Sequence, residues 1–329
     1  MDALRFAALL GELPRDRTRL LDNLGRLRRE VGPITPELSD ALADHMNIRR
    51  GEVDEVQSFY SFLRVPVDAR RVCTGPVCDC FGARELLAQT PDAIEVPCLG
   101  HCELAPVAMQ GDTILPFGRE EPVTHRTNEG ASLGLHQADE TLADYERRGG
   151  LELLRSPLAN ERVVEELKAS GLAGYGGAGF PTGVKWEAVA REPAPRYVVV
   201  NADEGEPGTI KDRYVMERRP HLLLEATLIA MQFAEATEGF IYLREEYAAA
   251  RNRLLQGIEE LGAAGLLDGR SLELVVGAGA YICGEETAML ESMEGRRGMP
   301  RLKPPFPSTF GYLGRPTLIN NVETLAHVP

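Results

Sequence analysis

Four cysteines fall into two pairs, Cys73 with Cys78 and Cys98 with Cys102, with four and three residues between the members. Each pair follows a strand-like run and sits among small residues, Thr74-Gly75-Pro76 in the first loop and Leu99-Gly100-His101 in the second. Four thiolates gathered at two strand ends can hold a [2Fe–2S] cluster or a zinc ion. Structural zinc sites favour knuckles with two intervening residues, whereas the wider loops here leave room for a diamond of iron and sulfide. The cluster is therefore the favoured reading, with Cys73, Cys78, Cys98 and Cys102 as ligands. Four unrelated buried cysteines would not be expected to fall in pairs. Cys80 is extra, either a spare thiol or a substitute ligand. His101 reads as a polar loop residue, and Cys283, far along the chain, as a packed thiol.

A second stretch suits a different chemistry. Gly171 to Trp186 holds six glycines in sixteen residues and ends in an aromatic, a lysine and the only tryptophan of the chain. Glycine at this density lets backbone N–H groups approach a phosphate or a flat ring without a Cβ in the way. Gly174, Gly176 and Gly179 satisfy G-x-G-x-x-G, but the dinucleotide fingerprint needs a strand before it and a helix opening inside it. Here Glu161–Ser170 carries helical periodicity, and Phe180-Pro181 follows the glycines at once. The arrangement is helix, glycine loop, proline. A loop built only for mobility would be polar and would lack Phe180 and Trp186.

The remaining residues must position these two stretches. A chain of 329 residues suffices for about two or three domains. Its net charge of −14 argues against nucleic acid and anionic membrane as partners. No run is long and apolar enough to span a bilayer, and the first residues make a poor export signal. Six cysteines without such a signal suggest a reducing, cytoplasmic setting in which ligation is favoured over disulfides.

Along the chain, residues 1–66 read as a helical segment, with helices at Arg15–Val31, after the Thr35-Pro36 start signal, and at Val53–Leu63. They cannot bury much alone and are expected to pack on the next unit. That unit, 67–123, has strands at Arg70–Cys73 and Ala93–Val96, a helix at Phe81–Ala88, and a hairpin of Pro106–Gln110 and Thr113–Pro116 around Gly111-Asp112. A linker is expected over 124–150, with a helix at Ala138–Arg148 leading out of it. From 151 to 329, strands at Arg196–Asn201, Gly239–Arg244 and Ser271–Val276 alternate with helices at Leu222–Ala236 and Glu246–Leu261. This βαβ rhythm predicts an α/β fold with a mostly parallel sheet.

Two resemblances follow from these motifs. The cysteine module with its helical preface resembles the thioredoxin-like [2Fe–2S] subunit of the NADH-oxidising module of respiratory complex I. Residues from about 150 onward resemble the flavoprotein subunit of that module. The second match rests on Gly174–Trp186, on Asn201-Ala-Asp-Glu-Gly-Glu-Pro-Gly-Thr-Ile-Lys-Asp212, on Gly277-Ala-Gly-Ala-Tyr-Ile-Cys-Gly-Glu-Glu286, and on Pro300–Phe306 with Asn320-Asn-Val-Glu-Thr324. Fusion of the two resembles the β (diaphorase) subunit of NAD-dependent formate dehydrogenases and the flavin subunit of NAD-reducing hydrogenases. The cysteines are often incomplete in the hydrogenase form and all four are present here, which favours the formate enzyme.

The resemblance implies FMN, NAD(H) and a [2Fe–2S] cluster, hydride transfer between nicotinamide and flavin, and passage of single electrons to clusters. It implies that Gly174, Gly176, Gly177 and Gly179 meet the FMN through their backbone. Lys185 would supply fixed positive charge, and Asn201, Asp203, Gly284, Glu285, Asn320 and Asn321 would contact the flavin. Glu204 would lie close to the reacting rings as the catalytic residue, with Glu206 crowding further charge near the nicotinamide. Phe180 and Phe306 would stack on NADH, and Tyr281 and Lys303 complete the set. Glu286 matches the acid that binds the adenosine ribose and so predicts NAD over NADP. Tyr175 stands where relatives usually carry Arg, which removes one fixed charge beside the flavin. The chain stops at Pro329, before the ubiquitin-like and [4Fe–4S] segments the resemblance leads one to expect. The expected partners are NADH and the other subunits of a formate dehydrogenase or related complex, with no membrane insertion.

Overall fold

The computed structural model of the chain describes residues 3–116, 140–156 and 162–329. It opens with four helices, α1 (Ala3–Glu12), α2 (Leu20–Glu30), α3 (Pro36–Met46) and α4 (Arg50–Phe59). The α3 start is as the sequence signals: the Thr35 side chain accepts from Leu38 N–H with Pro36 in the first turn, a cap worth about 1 kcal/mol. The third expected helix is split. Tyr60 adopts extended backbone between α4 and a single 3₁₀ turn at Ser61–Arg64, and its hydroxyl donates to the Arg296 carbonyl at 2.9 Å.

A four-stranded sheet follows, in the order β2-β1-β3-β4, from β1 (Arg70–Cys73), β2 (Ile94–Val96), β3 (Val107–Gln110) and β4 (Thr113–Pro116). β1 and β2 are parallel, as they must be when a crossover containing α5 (Pro76–Cys80) and α6 (Ala83–Gln89) joins them. The β3–β4 hairpin turns at Gly111, whose φ is +57°. Most of the linker expected at 124–150 lies outside the described residues. Beyond it come α7 (Leu142–Arg147), α8 (Glu152–Arg155) and α9 (Val163–Ala169). The glycine loop then leads directly into α10 (Thr182–Ala190), a helix the sequence reading did not anticipate, with Pro181 at its N-cap.

The second sheet is wholly parallel, in the order β7-β6-β5-β8, built from β5 (Tyr197–Ala202), β6 (Glu238–Leu243), β7 (Ser271–Val276) and β8 (Thr317–Asn321). Its remaining helices are α11 (Lys211–Arg218), α12 (Pro220–Phe233), α13 (Ala248–Ala263), α14 (Glu286–Met293) and α15 (Val322–Ala326). β5 reads as a continuous apolar run because both its faces are covered. Val198 and Val200 enter a core shared with Trp186 and helices α12 and α13, while Val199 points the other way.

What covers that other face departs from expectation. The first helices do not pack on the cysteine unit; Leu20, Leu24, Leu27, Leu42 and Val53 form one core with Val199, Phe240, Tyr242 and Ile319 of the second sheet. The reason is supply and demand of apolar surface. The crossover helices α12 and α13 cover one face of the parallel sheet and leave the opposite face bare. The small sheet closes over its own core of Val96, Leu99, Val107 and Met109. Among the described residues no helix is long and apolar enough to cross a membrane.

Candidate functional site

The glycine loop is pinned at its base and open at its tip. Gly174 N–H donates to the Phe180 carbonyl at 2.9 Å, Gly179 N–H to the Gly174 carbonyl at 3.2 Å, and Ala173 bridges to Pro181. Gly177 and Gly179 have φ of +104° and +62°, and a Cβ added at either would meet nothing within 4 Å. These two glycines therefore serve conformation and leave free space above the backbone. The other side of the loop closes on β8, where a Cβ on Gly176 would come 3.3 Å from that of Asn321. Tyr175 N–H donates to Thr324 Oγ1 at 2.9 Å. A cleft of about 450 Å³ runs along Ser170–Tyr175 and His327.

The other expected residues gather beyond the carboxyl ends of β5 and β8, where open α/β sheets bind ligands. Asn201 and Asn321 are register partners on these strands. Asn201 Nδ2 donates to the Gly284 carbonyl at 2.8 Å, and its Oδ1 accepts from Asp203 N–H at 3.2 Å. Tyr281 donates to Glu206 at 2.5 Å, which raises the phenol above its ordinary value. Asp203 is the group left wanting. Its Oδ2 is buried and accepts no hydrogen bond, and burial pushes the carboxyl up to about 7. A ring N–H or similar donor placed there would satisfy it.

Four charged side chains form the flank. Lys303 Nζ lies 2.7 Å from Glu285 and 3.2 Å from Glu286, and Lys185 Nζ lies 3.5 Å from Glu286 and 3.1 Å from the Ile319 carbonyl. Glu285 also caps α14 through Thr287 and Ala288 N–H. Burial alone would raise the Glu285 carboxyl, yet the Lys303 and capping bonds outweigh it and hold it low. Asn320 is buried, with Oδ1 accepting from Trp186 Nε1 at 3.0 Å, which fixes the amide and leaves its NH2 for a ligand. Asn321 is held by Asp212 at 2.5 Å and Lys211 at 3.2 Å. Phe180 and Phe306 are 48% and 55% exposed, large faces in solvent of the kind that mark a binding cleft. A second cleft of about 500 Å³, lined by Gln232, Thr237 and Arg270, opens at the amino ends of β6 and β7 and contains none of the expected residues.

Glu204 is 6% exposed, and its carboxylate is held by groups of the protein. It accepts from Asp212 N–H at 2.9 Å, Arg213 N–H at 3.2 Å and the Tyr247 hydroxyl at 2.9 Å. The cause is the start of α11, whose first N–H groups have no partner within the helix and draw an anion. Burial first, and then the Asp212 charge, raise the Glu204 carboxyl above its usual range.

The four paired thiols come together at the ends of β1 and β2. Cys73, Cys78 and Cys98 are buried and Cys102 is partly so. Interaction among neighbouring thiols raises Cys73 and Cys102 and lowers Cys78 and Cys98. Among the described residues no three Cys, His, Asp or Glu side chains converge on one metal ion. Four thiols carried by two adjoining loops are the donor set that a [2Fe–2S] cluster takes. N–H donors already aim at the sulfurs, Gly100 at Cys98 (3.3 Å) and Gly208 at Cys102 (3.2 Å). Cys80 is exposed and Cys283 buried. His101 faces Glu103 at 3.8 Å and the edge of the Tyr247 ring.

Several residues of the site carried no signal that the sequence reading used. Arg244 and Tyr247 follow β6, Arg213 pairs with Glu103, and Ser61 donates to the Gly279 carbonyl at 2.6 Å. Arg244 stands directly beyond the carboxyl end of β6, and the rule that open α/β sheets bind ligands beyond their strand ends could have found it.

Comparison with known proteins finds two families along the chain. Residues 6–125 match the thioredoxin-like [2Fe–2S] ferredoxin family, and residues 167–329 match the Nuo51 FMN-binding domain family. The chain is 49% identical over 205 residues to the F subunit of NADH-quinone oxidoreductase of Aquifex aeolicus (strain VF5), covering 59% of this chain and 47% of that protein. It is 48% identical over 201 residues to the protein of the same name in Escherichia coli (strain K12), covering 57% and 45%. The chain spans about half the length of the curated relatives it matches. A crystal structure of an NAD+-reducing [NiFe]-hydrogenase in the H2-reduced state superposes with a TM-score of 0.80 at 30% identity, covering 96% of this chain and 61% of that one.

Proposed function

From a chain that joins a thioredoxin-like [2Fe–2S] ferredoxin domain to a Nuo51-type FMN-binding domain, we propose an NADH:acceptor electron-transfer module. The observation that carries this reading is a single loop: its Gly208 N–H reaches Cys102 Sγ at 3.2 Å, and the same loop carries Asp203, whose Oδ2 has no partner, and Glu206, the two residues that would border the flavin. When bound, FMN exchanges a hydride with the nicotinamide and passes the electrons singly toward the cluster.

The protein binds, orients and excludes. The bare backbone of Gly174, Gly176, Gly177 and Gly179 admits the flavin phosphate and ring, with Lys185, Asn320 and Asn321 as polar contacts. Asn201 and Asp203 take the polar rim of the ring, where the unsatisfied Oδ2 of Asp203 accepts a donor. Gly284 and Glu285 continue the wall. Phe180 and Phe306 offer faces to NADH, and Tyr281 with Glu206 borders the nicotinamide. Glu286, flanked by Lys185 and Lys303, accepts the adenosine ribose 2′-hydroxyl and repels a 2′-phosphate, giving NAD over NADP. Glu204 acts from behind the loop, as a positioning residue that fixes the 203–208 turn on α11. Cys73, Cys78, Cys98 and Cys102 hold the cluster.

The complex favoured is a cytoplasmic NAD-dependent formate dehydrogenase, in which the chain would be the β subunit, because all four cysteines are intact in a fused chain. A second reading, the flavin subunit of an NAD-reducing hydrogenase, is supported by a structural alignment that runs over 96% of the chain. Co-purifying subunits that bring molybdenum or tungsten favour the first and nickel the second. The module itself is tested by the visible spectrum: flavin bands with broad cluster absorption, bleached by NADH, are expected. A colourless protein retaining zinc would instead indicate a non-enzymatic scaffold.

A further inference from the structure

We propose that Arg244, a residue of the flavin domain, sets the reduction potential of the cluster held by the other domain. This rests on the reading of the four thiols as [2Fe–2S] ligands. Arg244 stands one residue beyond β6 and is 6% exposed. Its Nη2 donates to the carbonyl of the ligand Cys98 at 3.2 Å, and its Nη1 to the carbonyl of Glu204. Glu246 accepts from Nε at 3.1 Å and from Nη2 at 2.6 Å. Tyr247 locks the contact: its ring centroid lies 5.0 Å from the guanidinium, and a Cβ on Gly100, between the two cysteines, would fall 2.4 Å from the ring.

Reduction adds one negative charge to the cluster. In a site stripped of water, a fixed cation on the ligand backbone stabilises that charge far more than it would in solvent. The guanidinium touches the ligand loop, so the pair presents its positive member to the cluster. Glu246 partly cancels that member. Removing the two partners must therefore shift the potential in opposite directions, which loss of packing would not do.

The test is a redox titration of the full chain with flavin and cluster bound, followed by the EPR signal of the reduced cluster. Arg244→Gln should raise the oxidised-to-reduced ratio at fixed potential about tenfold, a fall of about 59 mV for a one-electron couple. Glu246→Gln should move the ratio the other way, and Arg244→Lys, which keeps the charge, should stay within about threefold of the parent. Flavin content should remain that of the parent. If Arg244→Gln fails to assemble, the sign of the Glu246→Gln shift decides alone. Shifts of the same sign, or none with a full EPR signal, would overturn the proposal. Absence of any cluster signal in the unmutated chain would sink the ligand reading itself.

Discussion

The loop Leu99–His101 and the loop Gly174–Gly179 are both made of small residues, and they live in opposite surroundings. The first is enclosed by two domains. Tyr247 fills the space beside Gly100, Arg244 holds the Cys98 carbonyl, and Gly208 reaches Cys102. The second is braced at its base by Gly174 and Phe180 and along one side by Asn321 and Thr324, and its tip faces open space. Smallness serves close approach of protein in one place and close approach of a ligand in the other. The difference teaches that a site holding a permanent inorganic group is finished by protein contacts, whereas a site that admits organic ligands leaves an acceptor unspent, as Asp203 Oδ2 is.

The contrast can be broken outright at the cysteines. Cys98→Ser should abolish the cluster EPR signal while flavin stays bound; loss of flavin as well would mean that the two sites do not form separately. Gly100→Ala should come next, because a methyl group at φ +70° and 2.4 Å from Tyr247 must displace that ring. We expect about 2–4 kcal/mol of destabilisation, read by denaturant unfolding. Gly177→Ala meets nothing and should cost only the strain of its positive φ, about 1 kcal/mol, while weakening flavin retention. Equal costs at the two glycines would erase the distinction.

A smaller effect is expected at the flank. Glu286→Ala removes a hydrogen bond to a charged group and should raise KM for NADH about tenfold while relaxing discrimination against NADPH. Unchanged steady-state kinetics with both nucleotides would remove Glu286 from the ribose site. A last test concerns the pH dependence at Asp203. Its folded value of about 7 lies above the ordinary 3.8, so the unfolded carboxyl loses its proton first. Its contribution to stability is therefore full below the ordinary value and is lost as pH rises toward 7. Asp203→Asn should flatten that decline in the flavin-free chain, measured as thermal midpoints against pH. A parallel pair of curves would show that the carboxyl is not buried as described.

Much of this was legible in the residues. Arg70–Cys73 and Ser271–Val276 are strands to the residue, and Thr35-Pro36 starts a helix. Such features are local, set by alternation, capping and backbone restriction. Partners were harder. Glu204 and Glu206 look alike in sequence and take different partners: one meets the start of α11 and the other a Tyr281 hydroxyl donated from a distant turn. The partner of the first helices was misjudged for a related reason. Their apolar face is evident in Leu20, Leu24 and Leu27, but periodicity does not say which sheet has a face to spare.

That shared core has a consequence for how the chain is made. The apolar side of the opening helices cannot be sealed until the ribosome has passed Ile319, since its counterpart comes from β5, β6 and β8. The cysteine unit, complete much earlier, sits between two halves of one fold. Nascent chains must therefore carry an unfinished greasy surface until β8 has emerged. Severing the chain near residue 66 would yield two sticky pieces, not a dispensable leader and an intact remainder.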